Sequence, residues 1–143
     1  MQKINWNRVI LGGLLAGLVI NICEFLVDGL VLGDEWTASL KNLGRPPMGA
    51  GATTAFVLWG FLVGIYSLWL YASLRPRMGP GPRTAAIAGF AVWILGSLLP
   101  SISAVAMHLF PNRLMGIDLV LTLVEMVAGT VIGAWLYKEP SAT

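Results

Sequence analysis

The sequence predicts an all-α integral membrane protein in which four transmembrane helices form an up-down bundle. Of its 143 residues, 57% are hydrophobic and only 11% are charged, whereas a soluble domain carries about 25% charged residues. The apolar residues fall into four long runs that short polar or proline-rich segments separate. Because one transmembrane helix needs about 20 apolar residues, four helices and their loops account for a single membrane domain over residues 1–143.

The four spans are predicted at about 8–32, 49–74, 84–107 and 117–137. The first span follows a short basic segment, as a signal peptide would. Its length, its acidic residues Glu24 and Asp28, and the lack of a small-residue cleavage pattern favour a retained helix instead. Pro100 should kink the third span. The segment from Arg75 to Arg83 contains three prolines, which predicts a non-helical turn.

The longest loop, 33–48, contains the sequence DEWTASLKNLG. Two structures fit it. The segment is either a short helix lying on the membrane with Trp36, Leu40 and Leu43 towards the lipid, or a solvated loop. The sequence leaves both open.

The distribution of Lys and Arg predicts the orientation in the membrane. One side receives Lys3, Arg8, Arg75, Arg77, Arg83 and Lys138, and the other receives Lys41, Arg45 and Arg113. This bias places both termini in the cytoplasm of a bacterial inner membrane. A net charge of only +2, without a basic face interleaved with aromatic residues, excludes nucleic acid as a partner.

A short repeat suggests an internal duplication of a helical hairpin. The sequence Trp-Leu-Tyr ends the second span at 69–71 and the fourth span at 135–137. Arg8 and Arg83 each open an odd-numbered span. Two hairpins of the same orientation would be related by an axis along the membrane normal.

Two stripes of glycine and polar residues predict that the first and fourth helices pair. Residues three or four positions apart share one face of a helix. The stripes are Gly13, Gly17, Asn21, Glu24 and Asp28 on the first helix, and Asp118, Thr122, Glu125, Gly129 and Gly133 on the fourth. Laid antiparallel, they place Gly13 on Gly133, Gly17 on Gly129, Asn21 on Glu125, Glu24 on Thr122 and Asp28 on Asp118. Gly60 and Gly64 give the second helix a similar close-packing face.

The polar halves of these stripes predict an outward-facing acidic pocket. Glu24 and Glu125 each lie about eight residues from the outer end of their helix, which is about 12 Å, with no Lys or Arg at that depth. A charged group there costs roughly 2.5–3.5 kcal/mol. The predicted ligand-binding residues are Asn21, Glu24, Asp28, Ser97, Ser101, His108, Asp118, Thr122 and Glu125.

Several of these residues also have a purely structural interpretation. Asp118 follows a helix start and suits an N-terminal cap. His108 suits a surface position, and Ser97 and Ser101 suit hydrogen bonds to their own helix backbone. The glutamates themselves suit hydrogen bonds between helices.

Two functions fit the pattern. The first is the binding or transport of a cation, a proton or a proton-coupled small solute, for which four helices are few, so that a homo-oligomer is expected. The second is a non-catalytic structural or accessory subunit of a larger membrane complex, with partner membrane subunits. In both, the lipid bilayer surrounds the chain. The sequence leaves a metal or cofactor open.

Motifs for catalysis are missing from the sequence. One histidine gives neither a bis-histidine haem site within the chain nor the Glu-x-x-His pairs of a di-iron bundle. Neither GxSxG nor GxxxxGK occurs. These observations argue against an enzyme.

Overall fold

The computed structural model describes residues 4–138, which are almost entirely helical and contain no strand. The helices are α1 (Trp6–Val31), α2 (Gly33–Asn42), α3 (Ala50–Met78), α4 (Pro82–Ala106) and α5 (Asn112–Ala134). All except α2 are long and apolar enough to cross a bilayer. The predicted four-helix membrane bundle is therefore confirmed, and the chain is a multi-pass membrane protein. Of the two structures considered for loop 33–48, the short helix is the one observed.

The sequence predicted a non-helical turn from Arg75 to Arg83, and this prediction is wrong for the first residues of that segment. Helix α3 continues through Pro76 to Met78. A proline this close to a helix end removes only one backbone hydrogen bond, so the helix tolerates it. The chain turns instead at Gly79 and Gly81, whose φ angles of 81° and 127° suit glycine. The Gly79 N–H donates to the Arg75 carbonyl oxygen over 2.8 Å.

Helices α1 and α4 each change to the wider π form in the half of the bundle that lies nearer α2. The π segments are Phe25–Val31 in α1 and Ile94–Leu98 in α4. In α4 the change directly precedes Pro100, where the missing N–H prevents a continuous α-helical hydrogen-bond pattern. The sequence predicted a kink at this proline, and the structure has a π turn directly before it. We call the two ends of the bundle the α2 end and the termini end.

The four long helices form a ring in the order α1, α3, α4, α5. Helix α1 packs on α3 and α5, and α4 packs on the same two helices from the other side. The largest core cluster consists of Val9, Ala16, Leu68, Tyr71, Ala72, Ala85, Ala88, Ala134 and Tyr137. A second cluster of Val92, Trp93 and Met126 joins α4 to α5.

Helix α1 packs closely on α3 through one of its two faces of small residues. A Cβ atom added to Gly17 would lie 2.7 Å from the Phe61 Cα atom, and one added to Gly64 would overlap the backbone of Gly13 and Gly17. The predicted pairing of Gly13 with Gly133 and of Gly17 with Gly129 is therefore wrong, because α3 occupies that face.

The other small face of α1 packs on α5. A Cβ atom added to Gly129 would lie 3.1 Å from the Ala16 carbonyl oxygen, and one added to Gly12 would lie 2.6 Å from the Gly133 carbonyl oxygen. The glycines of α5 thus meet α1 as predicted, but on positions 12 and 16 instead of 13 and 17. A shift of one residue rotates the contact by about 100° around the helix.

An aromatic cluster ties the helices together at the termini end. The rings of Tyr71 and Tyr137 pack edge to face with centroids 5.8 Å apart. The Arg75 guanidinium lies 5.7 Å and 5.0 Å from those two centroids. The two hydroxyl oxygens accept hydrogen bonds from the backbone N–H groups of Gly81 and Asn5. Both tyrosines come from the repeated Trp-Leu-Tyr sequence, although the duplication itself stays a prediction.

Substitution of two glycines on α3 tests the close approach of α1 and α3. We expect Gly64→Ala to lower the free energy of unfolding by about 1–3 kcal/mol, because its methyl group meets backbone that cannot move aside. Gly51→Ala is the matched control, since nothing lies within 4 Å of its added Cβ atom. It should leave stability unchanged or raise it slightly through helix propensity. Thermal unfolding in detergent measures both, and equal effects would contradict the packing.

Candidate functional site

Two glutamates meet in the α2 half of the bundle. Glu24 closes the α-helical part of α1, and Glu125 lies midway along α5. Their carboxyl groups are close enough to interact directly with each other. Two ionised carboxylates repel each other and can only accept hydrogen bonds, so this contact is favourable when the two groups share one proton. The partner predicted for Glu24 was Thr122, and the structure places Glu125 there instead.

Glu125 is the more deeply buried of the two glutamates. Its side chain is only 4% exposed, and its Oε1 atom is buried without a hydrogen-bond partner among the described residues. One turn away, Gly129 contacts Ala16 and Ile20 of α1, so the Glu125 side chain also points towards α1. A buried polar atom without a partner is rare in native structures and calls for an explanation, such as a bound ion or water.

Two aspartates lie beyond the glutamates, towards the α2 end. Asp28 is close enough to interact electrostatically with Glu24, Glu125 and Asp118. The Cys23 thiol lies within the electrostatic range of both glutamates. The four carboxyl groups thus form one cluster, which we call the acidic cluster: Glu24, Asp28, Asp118 and Glu125.

Asn21 and Thr122 were predicted to line the acidic pocket, but neither of them belongs to the acidic cluster. The Asn21 Nδ2 atom donates to the carbonyl oxygens of Gly17, at 2.8 Å, and of Val57 on α3, at 3.2 Å. The Thr122 hydroxyl accepts a hydrogen bond from Trp93 Nε1 at 3.2 Å and so faces α4. Both residues are polar ties between neighbouring helices. The one-residue rotation of the α1 contact explains why Asn21 turns to α3.

The three residues predicted from the third span have different surroundings. Ser97 is half-buried within the π segment of α4, and Ser101 is buried one turn further on. His108 is exposed beyond the end of α4, with a φ angle of 53°. Its exposure places His108 on the surface of the α2 end, which matches the structural interpretation of this residue.

Helix α2 covers the end of the bundle above the acidic cluster. The Trp36 Nε1 atom donates to Asp28 Oδ1 at 2.8 Å, and its ring packs edge to face on Phe110 with centroids 5.3 Å apart. Arg113 Nη1 donates to both carboxylate oxygens of Glu35, at 2.8 Å and 2.9 Å. Neither of the two structures considered for this loop included a contact of Trp36 with Asp28; one of them put Trp36 towards lipid. No local pattern reveals it, because the contact depends on how the π segment directs the chain back over the bundle.

The acidic cluster supplies carboxyl pairs and no assembled metal site. Among residues 4–138, no group of three or more His, Cys, Asp and Glu side chains stands in a geometry that holds a metal ion. Two adjacent carboxyl groups that share a proton are suited to exchanging that proton or to binding a single positive charge.

An apolar surface groove lies away from this cluster. It has a volume of about 550 Å³, and its lining is wholly apolar: Leu123, Val124, Val127, Ala128, Val131 and Ile132. An open apolar groove on one side of a transmembrane helix is a surface for lipid chains. The acidic cluster remains the candidate site.

Comparisons with protein-family models, with curated proteins and with solved structures find no match to this chain.

The contact between Trp36 and Asp28 can be tested with a substitution that keeps the aromatic ring. We expect Trp36→Phe to retain the packing on Phe110 and lose the hydrogen bond, which costs about 1–2 kcal/mol. The backbone amides of α2 should then exchange with deuterium faster. Glu35→Gln breaks only an exposed ion pair, which contributes about 0–1 kcal/mol. An equal or larger effect of Glu35→Gln would contradict the assignment of Trp36 as the main anchor.

Proposed function

We propose that this protein binds or transports a cation, a proton or a proton-coupled small solute, and that Glu24 and Glu125 form the binding site. The observation that carries the proposal is Glu125, which is 4% exposed and whose carboxyl group has one oxygen that no described residue hydrogen-bonds. A charge at membrane depth costs several kcal/mol unless it is neutralised. A bound cation or water would supply the partner that this oxygen lacks.

The chemistry that follows is an exchange at the glutamate pair. With one proton between them, the two carboxyl groups carry a single negative charge. A monovalent cation that enters can release this proton, so that one positive charge replaces another and the pair stays at the same total charge. Such an exchange couples the movement of a cation to the movement of a proton in the opposite direction.

The charge distribution supports an orientation for this site. Six of the seven Asp and Glu residues of the sequence lie on the side of the spans that carries α2: Glu24, Asp28, Asp34, Glu35, Asp118 and Glu125. The opposite side has the larger share of Lys and Arg, which the cytoplasm favours. We therefore place the acidic cluster towards the outside of a bacterial inner membrane, with both termini in the cytoplasm. Four helices are few for enclosing a transport pathway, and a homo-oligomer would supply further helices around it.

An accessory subunit of a larger membrane complex is the second candidate. Residues Ala50–Trp59 of α3 are all exposed, and a partner subunit would cover such a surface. In that case the glutamate pair would only hold α1 against α5.

Thermal unfolding in detergent across pH separates these functions. In the wild type, alkaline pH removes the shared proton and leaves two adjacent carboxylates, so the midpoint should fall. Glu125→Gln keeps a neutral donor beside Glu24, and this fall should be lost. A cation at a hundredfold excess over its dissociation constant should stabilise the wild type by roughly 2.7 kcal/mol, and neither Glu24→Gln nor Glu125→Gln should respond.

Asp34→Asn is the matched control for these variants, because Asp34 is an exposed acidic residue at the same end of the bundle. It should keep both the pH response and the cation response. If the two glutamine variants respond like the wild type, the pair has only a structural role and the accessory subunit becomes the better explanation.

Cysteine labelling in intact cells tests the orientation. In a background with Cys23 replaced by serine, Thr37→Cys on α2 should react with an impermeant maleimide added outside. Met78→Cys at the opposite end should react only after the cells are opened. Both positions are exposed, so reactivity reports the side of the membrane. The reverse pattern would turn the acidic cluster towards the cytoplasm.

A further inference from the structure

Helices α3 and α4 separate in the α2 half of the bundle. Near the termini end they share a core cluster, and Val63 and Leu70 of α3 pack on the cluster that contains Val92 of α4. Helix α3 packs on the Pro82–Trp93 part of α4 and at most marginally on the rest. From Ala50 to Trp59, every residue of α3 is exposed.

Exposed residues of α4 and α3 flank this gap. On α4, Ala85, Ala88 and Val92 are buried, whereas Gly96 and Pro100, which lie within and just after the π segment, are exposed. A Cβ atom added to Gly96 would lie 4.0 Å from Met126 Cε of α5. On α3, Phe56 and Trp59 continue the side that carries Val63 and Leu70, and they are 57% and 38% exposed. We call the gap between these exposed residues the lateral cleft: Phe56, Trp59, Gly96 and Pro100.

The lateral cleft leads to the glutamate pair from the side. The face of α1 with Gly17 packs on α3, and the face with Ile20 packs on α5. Glu24 lies between these two faces and therefore points into the interior of the bundle. Helix α2 covers the end of the bundle through Trp36 and Glu35. Because α3 and α4 separate here, we infer a route to Glu24 from the bilayer between them.

We propose that the ligand is a lipophilic organic monocation that enters through the lateral cleft. Its charged group would bind at Glu24 and Glu125, and its apolar groups would lie between Phe56 and Trp59 on one wall and Gly96 and Pro100 on the other. This inference rests on the proposed function, since it names the class of cation that the glutamate pair binds.

Charge and shape both support this class of ligand. The pair carries one negative charge when it holds one proton, and the described residues assemble no metal site, which favours a single, diffuse positive charge. The other ionisable groups near the pair are Cys23 and Asp28 on α1 and Asp118 on α5. Within their α2 halves, α3 and α4 carry no ionisable residue. Nothing in the cleft therefore opposes a cation, while its aromatic wall favours apolar groups and cation–π contacts.

Equilibrium binding to the full chain in nanodiscs of uncharged phosphatidylcholine tests the proposal with three probes. Tetraphenylphosphonium is a lipophilic monocation, tetramethylammonium has the same charge without the apolar groups, and tetraphenylborate has a similar shape with the opposite charge. We expect tetraphenylphosphonium to bind at least about tenfold more tightly than the other two. Its affinity should fall as the pH is lowered, because binding releases a proton.

Matched variants locate the binding in the cleft. Phe56→Ala should weaken tetraphenylphosphonium binding roughly tenfold, because an aromatic wall is lost. Leu58→Ala should leave it unchanged, since Leu58 is similarly exposed at 59% but points about 200° away around α3. Gly96→Phe should block the cleft, and thermal unfolding of the same sample shows that the variant is folded.

The outcomes separate this inference from the proposed function. Should the glutamine variants lose the pH response while tetraphenylphosphonium binds no better than tetramethylammonium, the lateral cleft is not a ligand site although the glutamates still bind protons. Equal losses from Phe56→Ala and Leu58→Ala would also overturn the inference. Self-crosslinking of Phe56→Cys in the membrane, together with no binding of the probe, would show that a second copy of the chain fills the cleft.

Discussion

The close approach of α1 to both of its neighbours is the constraint on which the rest of the structure depends. Lipid offers no hydrophobic drive for helix association, so packing relies on small residues that let backbones touch. Helix α1 has such residues on two faces, with Gly13 and Gly17 against α3 and Gly12 and Ala16 against α5. Because these two faces hold neighbours at a fixed angle, Glu24, about two turns beyond Gly17, points between them.

The four-helix architecture could be predicted from the sequence, but the residues through which neighbouring helices contact each other could not. Composition and apolar runs predict the four spans, since a charged fraction this low leaves no alternative to a membrane. The stripe on α1 was assigned to α5 although it belongs to α3, because Gly12 and Ala16 form a second small face only one residue away. Spacing alone cannot choose between two such faces, and the choice depends on which neighbour offers the better fit.

The same limit applies to the acidic cluster. The depth of Glu24 and Glu125 could be read from the sequence, and so could the lack of nearby Lys and Arg. Their direct contact could not, because it depends on which faces of α1 meet α3 and α5. The contact of Trp36 with Asp28 could not either, because it depends on the π segment that follows Glu24. A π turn leaves no clear mark in a sequence without proline, and it redirects every side chain after it.

The length of α3 has a consequence for how the protein responds to its surroundings. Its 29 residues extend about 43 Å at 1.5 Å per residue, whereas the hydrocarbon core of a bilayer is about 30 Å thick. A helix longer than the bilayer tilts to keep its apolar residues covered. Helix α1 holds α3 through Gly64 and the Val57 carbonyl oxygen, so the two helices should tilt together. In a thinner membrane we therefore expect α1 to follow the tilt of α3, which would make the position of the Glu24 carboxyl group sensitive to bilayer thickness.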